Sequence, residues 1–333
     1  MNVGKAVMGV GLVVLVSSVV AGADDSVEAV PTREQVREAV GRSLPYLETA
    51  GVSWIENKKC VTCHRVAFLT WSHAEASRKG FAVDLAKNRE RVEWSVQSSL
   101  EKKEKASDID GALNIDGLAQ ILLGHSADPS GALPEQQRAT LVQIAVKGQQ
   151  PDGSWKAGGQ LPGQKRPKEE TAQVSTMWIA LALGSADNGE AAVEARRRAL
   201  SWLERAEPGK STEWFVARLL LNHQDRDARN VASVIEQLKA QQNKDGGWGW
   251  LVGDPSDALG TGMALYALSI AGVASDDPVL GRVQQFLVST QLKDGSWAVM
   301  GTKANKKDRV EETASYWGAA WATLGLLQTL PRS

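Results

Sequence analysis

Gln149-Gln-Pro-Asp-Gly-Ser-Trp155 is the stretch on which the fold turns, because the chain writes it three times. Gln241-Gln-Asn-Lys-Asp-Gly-Gly-Trp248 and Thr290-Gln-Leu-Lys-Asp-Gly-Ser-Trp297 are the other two versions. Trp248 and Trp297 stand 49 residues apart; Trp155 and Trp248 stand 93 apart, close to two such periods. A fixed spacing in this range marks a repeat architecture. A helix-like run precedes each motif, as over 136–150 and 281–291, and a second follows, as over 171–183 and 313–327. Asp-Gly supplies the turn between them. The unit predicted is a helical hairpin.

Working outward, the remaining repeats emerge by shape. Arg198-Ala-Leu-Ser-Trp-Leu-Glu-Arg-Ala206 fills the gap between the first two motifs, and Arg42-Ser-Leu-Pro-Tyr-Leu-Glu-Thr-Ala50 matches it near the start. A further hairpin ends in the apolar run 115–123. Six hairpins of roughly 50 residues over 33–330 predict an all-α fold with no strand. Second helices such as "SDALGTGMALYALSIAG" and "EETASYWGAAWATLG" are rich in small residues. Small side chains let helices crowd around an axis. The expectation is therefore a closed (α/α)6 toroid with inner and outer barrels; the alternative is an open superhelix of helix pairs.

The first residues bear on compartment. Lys5 is the one charge before Asp24, residues 6–20 are apolar or small, and Ala21-Gly22-Ala23 offers a small-x-small cleavage pattern. Residues 1–23 read as a signal peptide cleaved near Ala23, with 24–333 as a single repeat domain; an uncleaved anchor is the alternative. Export to the periplasm or beyond follows. The chain has 38 basic and 39 acidic residues; without Lys5 there are 37 against 39, a formal charge of −2. That balance gives no reason to expect a nucleic-acid partner or an anionic membrane. Twelve Trp stand against four Phe and three Tyr, so something selects tryptophan.

Both cysteines of the chain lie in one short motif, Cys60-Val-Thr-Cys63-His64. Cys60, Cys63 and His64 fall within about one helical turn, so two sulfurs can reach the vinyl positions of one porphyrin edge while His64 turns to the iron. Covalent haem c is the expected cofactor, and its attachment outside the bacterial cytoplasm agrees with export. A Cys60–Cys63 disulfide and a zinc site drawing on His73 are the other readings. The motif sits where other repeats carry their tryptophan motif, so it belongs to the first repeat. For the sixth iron ligand the chain offers His73, His125, His223, Met177, Met263 and Met300. Met300 is preferred, because ring closure would bring its loop beside the first repeat. Two basic loops, Lys165, Arg166, Lys168 and Lys303, Lys306, Lys307, Arg309, are expected at the same end, facing haem propionates or an acidic redox partner.

The Q-x-x-D-G-S-W motifs resemble the QW repeats of squalene–hopene cyclases and related prenyltransferase-type α/α toroids. The resemblance covers nearly all of residues 33–330, although three of the six repeats are degenerate. It implies an (α/α)6 barrel whose Gln and Trp residues brace the outer helices: Gln149, Trp155, Gln241, Trp248, Gln291 and Trp297. Cyclases of this family carry their initiating acid in a D-x-D-D-T-A motif at the start of an inner helix. Glu169-Glu170-Thr171-Ala172 and Glu311-Glu312-Thr313-Ala314 stand there, each 14 residues after its tryptophan. The leading aspartate is replaced by Pro167 and Arg309, and Asp108-Ile-Asp110-Gly111 lacks the second half of the motif. An acid able to protonate an alkene needs several carboxyls held together; glutamates at a helix start are also explained by the macrodipole. The expected function is that of a haem protein for electron transfer or haem redox chemistry, with a redox protein or a small-molecule substrate as partner. A terpenoid-cyclase-like or lipid-binding protein using Glu169, Glu170, Glu311 or Glu312, and a non-enzymatic scaffold, are the alternatives.

Overall fold

The computed structural model describes Met1 and residues 30–58, 65–100, 114–126, 133–158, 161–184 and 188–331. Among them lie twelve α-helices: α1 Arg33–Lys58, α2 Val66–Arg78, α3 Leu85–Leu100, α4 Ile115–His125, α5 Glu135–Lys147, α6 Lys168–Leu183, α7 Glu190–Leu203, α8 Thr212–Gln224, α9 Ala228–Ala240, α10 Ala258–Ile270, α11 Pro278–Thr290 and α12 Glu312–Thr329. The described residues form no strand, only isolated bridges. Short polar side chains start several helices. Ser211, Asp227 and Asp277 accept from the free N–H groups of α8, α9 and α11, and Pro278 takes the first turn of α11 where no N–H is needed.

The two layers differ as burial requires. Outer α9 buries only Val234 and Leu238, one stripe of its surface. Inner α10 is buried without a break from Ala258 to Leu268. The inner helices contact one another in sequence, α2 with α4, then α6, α8, α10 and α12, and α12 returns to α2. The ring is closed, as the small residues predicted. Close approach is tightest between α10 and α12. A β-carbon on Gly262 would fall 2.5 Å from the Trp321 carbonyl carbon, and one on Gly325 would fall 2.7 Å from the Gly262 carbonyl oxygen.

Two details depart from the sequence reading. Each inner helix packs on the outer helix that follows it, as α6 on α7 and α10 on α11, with α12 packing on α1. The tight hairpin is thus inner-then-outer, because that link is short: 225–227 between α8 and α9, against 241–257 between α9 and α10. The second departure concerns the staples. Gln149, Gln242 and Gln291 each donate to two carbonyls, one in their own turn (Gly153, Gly246, Gly295) and one in a neighbouring outer helix (Ala195, Val279, Ala39), at 2.6–3.1 Å. The second motif is therefore stapled by Gln242, not by Gln241. Only Gln242 lies six residues before its tryptophan, as Gln149 and Gln291 do. Trp155, Trp248 and Trp297 are buried and donate to Ala145, Leu238 and Leu287 of the preceding helix at 2.7–2.9 Å. The glycine between, such as Gly246 at φ 87°, abuts the Arg282 carbonyl, 2.6 Å from where a β-carbon would lie. Left-handed backbone and close approach both require glycine there.

The axis of the ring is filled. Trp178 of α6 and Trp321 of α12, on opposite sides, meet with centroids 5.7 Å apart. Trp321 also lies 5.2 Å from Phe68, 5.7 Å from Trp71 and 5.4 Å from Tyr266. Here is where much of the tryptophan went. At the end holding the N-termini of the inner helices, the connections 148–167 and 291–311 also meet across the ring. Lys165 donates its backbone N–H to Thr302 at 2.8 Å, Ala304 donates to Gly163 at 3.3 Å, and Gln164 bridges Lys303.

Candidate functional site

Cys60, Cys63 and His64 lie outside the described residues, but both ends of their segment are placed. Lys58 closes α1, and Arg65 immediately precedes α2. Arg65 is only 1% exposed. Its guanidinium lies 4.7 Å from the Trp54 ring centroid and 4.5 Å from that of Tyr316. One nitrogen donates to Glu312 at 2.7 Å, while Nε is buried with no partner. The Glu312 side chain is 78% exposed. The Tyr316 hydroxyl donates toward the Leu47 and Arg65 carbonyls at 3.2 and 3.3 Å, and burial pushes its pKa up. This is the seam of the ring: α12 of the last repeat against α1 and α2 of the first.

Beside the seam runs a groove of about 400 Å³, with Tyr46, Trp54, Asn57, Lys58 and Glu312 among its walls. Two aromatic residues, Tyr46 and Trp54, contribute to its lining together with polar ones. That volume falls within the range of about 300–1,000 Å³ usual for small-molecule sites.

The carboxylates singled out by sequence are separated. Glu169 is exposed, whereas Glu170 is buried and accepts from the Ser211 N–H at 2.8 Å and hydroxyl at 2.5 Å. Glu311 caps α12 through the Ala314 N–H at 3.0 Å and binds Lys306 at 2.6 Å. Burial works against its charge, yet Lys306 and the capped N–H hold Glu311 below the usual carboxylate range. The two pairs belong to α6 and α12, on opposite sides of the ring. Of the four, Glu312 reaches the seam, where it accepts from Arg65. Met300 is 43% exposed and bridges Val310 at the edge of the 291–311 connection. Met177 and Met263 are buried in the core, and His73 is buried in α2.

The basic loops are partly consumed by the fold. Lys165 pairs with Asp254 at 2.6 Å, and Arg166, buried over the Trp250 ring, pairs with Glu213 at 2.6 Å. Lys168, Lys307 and Arg309 remain exposed. Beneath the crossing loops the sequence reading missed a buried polar set. Glu213 also accepts from Trp178 at 3.0 Å, and Asp116 accepts from the Gly158 N–H at 2.9 Å. Burial raises the pKa of Asp116. The signal was present: each is the lone acid of its inner helix and stands in its first turn.

Comparison with known proteins gives the same architecture. Residues 205–295 match the model of the squalene–hopene cyclase N-terminal domain. The squalene–hopene cyclase of Bradyrhizobium diazoefficiens is 32% identical over 106 residues, which are 31% of this chain and 16% of that enzyme. This chain therefore matches only a small part of that curated relative. A family 88 glycosyl hydrolase from Bacteroides vulgatus superimposes with a TM-score of 0.62 at 12% identity, covering 90% of this chain and 99% of that one. The type II terpene cyclase MstE from Scytonema gives 0.57 at 11%, covering 90% and 99%. The chain is an α/α toroid. At such identities the likeness speaks for the toroid alone, and toroids that act on sugars and on terpenes share it.

Proposed function

We propose that this toroid is an exported c-type haem protein, serving electron transfer or haem redox chemistry with a protein or small-molecule partner. The observation that carries the reading is the position of the groove against the two ends of the Cys60–His64 segment. Lys58 lies in its wall, and Arg65 lies beneath it, clasped by Trp54 from that same wall. A buried guanidinium nitrogen without a partner also suits a site that receives an acceptor. The groove's Tyr46 and Trp54 suit a porphyrin, and its Lys58 suits a propionate. In this reading Cys60 and Cys63 would hold the porphyrin through thioethers, and His64 would supply a nitrogen to the iron. Lys58, in the groove wall, would be the partner for a propionate, and Met300 would be the candidate for the other protein ligand of the iron. When bound, haem supplies a one-electron iron couple. The polypeptide orients the group and tunes its potential.

The second reading, a terpenoid-cyclase-like enzyme, is favoured by the family match over residues 205–295. Against it stands the Trp178–Trp321 contact, which closes the space across the ring axis.

Absorption spectra of the protein exported from a host with a haem-maturation system test the proposal. Covalent haem is expected in the wild type, as a pyridine haemochrome that survives acid–acetone extraction. Cys60→Ala with Cys63→Ala should abolish it. Met300→Leu should remove the weak long-wavelength band of methionine-ligated ferric haem. A wild type without covalent haem overturns the reading.

A further inference from the structure

We infer that Asn188 is a site of hydrolytic modification, where the side-chain amide becomes an acid through a cyclic imide with Gly189, and that this conversion releases the corner between α6 and α7. No other asparagine of the chain precedes a glycine. Glycine leaves its backbone nitrogen open to attack the amide carbon before it, because no β-carbon crowds the ring that forms. Gly189 is exposed and Asn188 half-exposed, and both line a groove of about 330 Å³ between α5 and α7, so water reaches the reacting atoms. A β-carbon on Gly189 would meet nothing within 4 Å. No described residue accepts from the Gly189 N–H. The Asp-Gly turns show the contrast. Gly153, Gly246 and Gly295 each donate to the carbonyl three residues back at 3.0 Å. Asp152, Asp245 and Asp294 each accept from the N–H two residues on, at 2.9–3.1 Å. There the nucleophile and the carboxyl group are both tied; at Asn188-Gly189 the nucleophile is not.

In the step itself, the Gly189 nitrogen gives its proton to hydroxide and bonds to Cγ of Asn188, and negative charge gathers on Oδ1. Arg138 of α5 donates to that oxygen. A fixed cation therefore meets the charge where it develops. α7 begins at this point without a side-chain cap, so its free N–H groups favour the same charge. The Cγ–Nδ2 bond then breaks, and Nδ2 leaves as ammonia with a proton from water. One water opens the imide to aspartate or isoaspartate. The net change is one water consumed and one ammonia released, with no oxidant or reductant. Its effect on the fold is local. Nδ2 of Asn188 donates to the Ala182 and Leu183 carbonyls at 3.2 and 3.0 Å, in the last turn of α6. A carboxylate has no hydrogen to give there, and its charge faces the negative end of that helix. Isoaspartate also lengthens the backbone by a methylene just before α7.

Incubation of the whole wild-type protein at mildly alkaline pH, followed by peptide mapping by mass spectrometry, is the first test. Acid should accumulate at Asn188 roughly tenfold faster than at any other asparagine, with isoaspartate in the same peptide, while the three Asp-Gly turns stay unmodified. Arg138→Gln should slow the conversion about tenfold, less than the ~100-fold typical of a dedicated oxyanion donor, because Glu135 shares the guanidinium at 2.7 and 2.9 Å. Asn188→Asp, which carries the product from the start, should exchange amide hydrogens over the last turn of α6 about tenfold faster than wild type. An Asn188 that stays an amide while other asparagines convert overturns the site. An unchanged rate in Arg138→Gln overturns the part given to Arg138, and unchanged exchange in Asn188→Asp overturns the release of the corner. Asn188 and Gly189 take no part in the haem reading, so a wild type without covalent haem leaves this site standing.

Discussion

Gln241 and Gln242 are neighbours of the same type, yet the structure uses them differently. Gln242 donates to the Gly246 and Val279 carbonyls at 2.8 and 3.1 Å and accepts from Arg282. Gln241 has a buried side-chain oxygen with no partner. Gln242→Ala leaves two carbonyls and a guanidinium short of partners, so it should cost about 1–3 kcal/mol. Gln241→Ala should stay within about 0.5 kcal/mol of wild type. Urea unfolding of the two variants checks this; equal losses would show that the staple register is wrong. Arg42, Arg198 and Arg282 add a matching device. Each lies on an outer helix and bonds into the preceding tryptophan motif, through Gln291, the Gln150 and Pro151 carbonyls, and Gln242 respectively.

At the scale of an element, α2 shows what burial does to an ionisable group. His73 lies on α2 near Arg91 of α3 and Glu48 of α1. Burial, and after it the Arg91 charge, bring its pKa down from 6.5 to about 4. Above pH 6.5 the imidazole is neutral whether the chain is folded or not, and contributes nothing to pH dependence. Between 6.5 and 4 only the unfolded chain takes up the proton, so stability falls as pH falls. The loss reaches ~3 kcal/mol below pH 4. His73→Phe should flatten that part of the curve of unfolding free energy against pH. A curve unchanged in slope would assign the loss to other groups. The same helix turns His73 into the core, where it is 4% exposed.

Across the whole molecule, closure depends on the seam and on the axis. Gln291 reaches the Ala39 carbonyl at 2.9 Å, Thr323 reaches Ser43 at 2.8 Å, and Arg65 reaches Glu312; all join the last repeat to the first. Trp321 joins opposite sides by touching Phe68, Trp71, Trp178 and Tyr266. Trp321→Ala removes the centre of that cluster from a ring that cannot collapse inward, so it should cost about 3–5 kcal/mol. Urea unfolding, together with loss of near-ultraviolet dichroism, is the check. A loss under about 1 kcal/mol would mean that the axis is not close-packed.

The sequence by itself determined the helical class, the repeat and the period, and it favoured closure over an open superhelix. These depend on local signals that recur: Asp-Gly turns, a tryptophan fixed six residues after a glutamine, and small residues along the inner helices. It also placed Cys60, Cys63 and His64 in the first repeat. It placed the glutamates at inner-helix starts, where Glu170 and Glu311 do accept from backbone N–H groups. Only the tertiary structure decided which glutamine of a pair is the staple, and that tight hairpins run from inner to outer helix. Only it showed Trp178 against Trp321 across the axis, and Arg65 against Glu312. Those contacts join residues 143 and 247 positions apart. No periodicity within a repeat encodes them; they exist because the ring closes, and closure is a property of six repeats together.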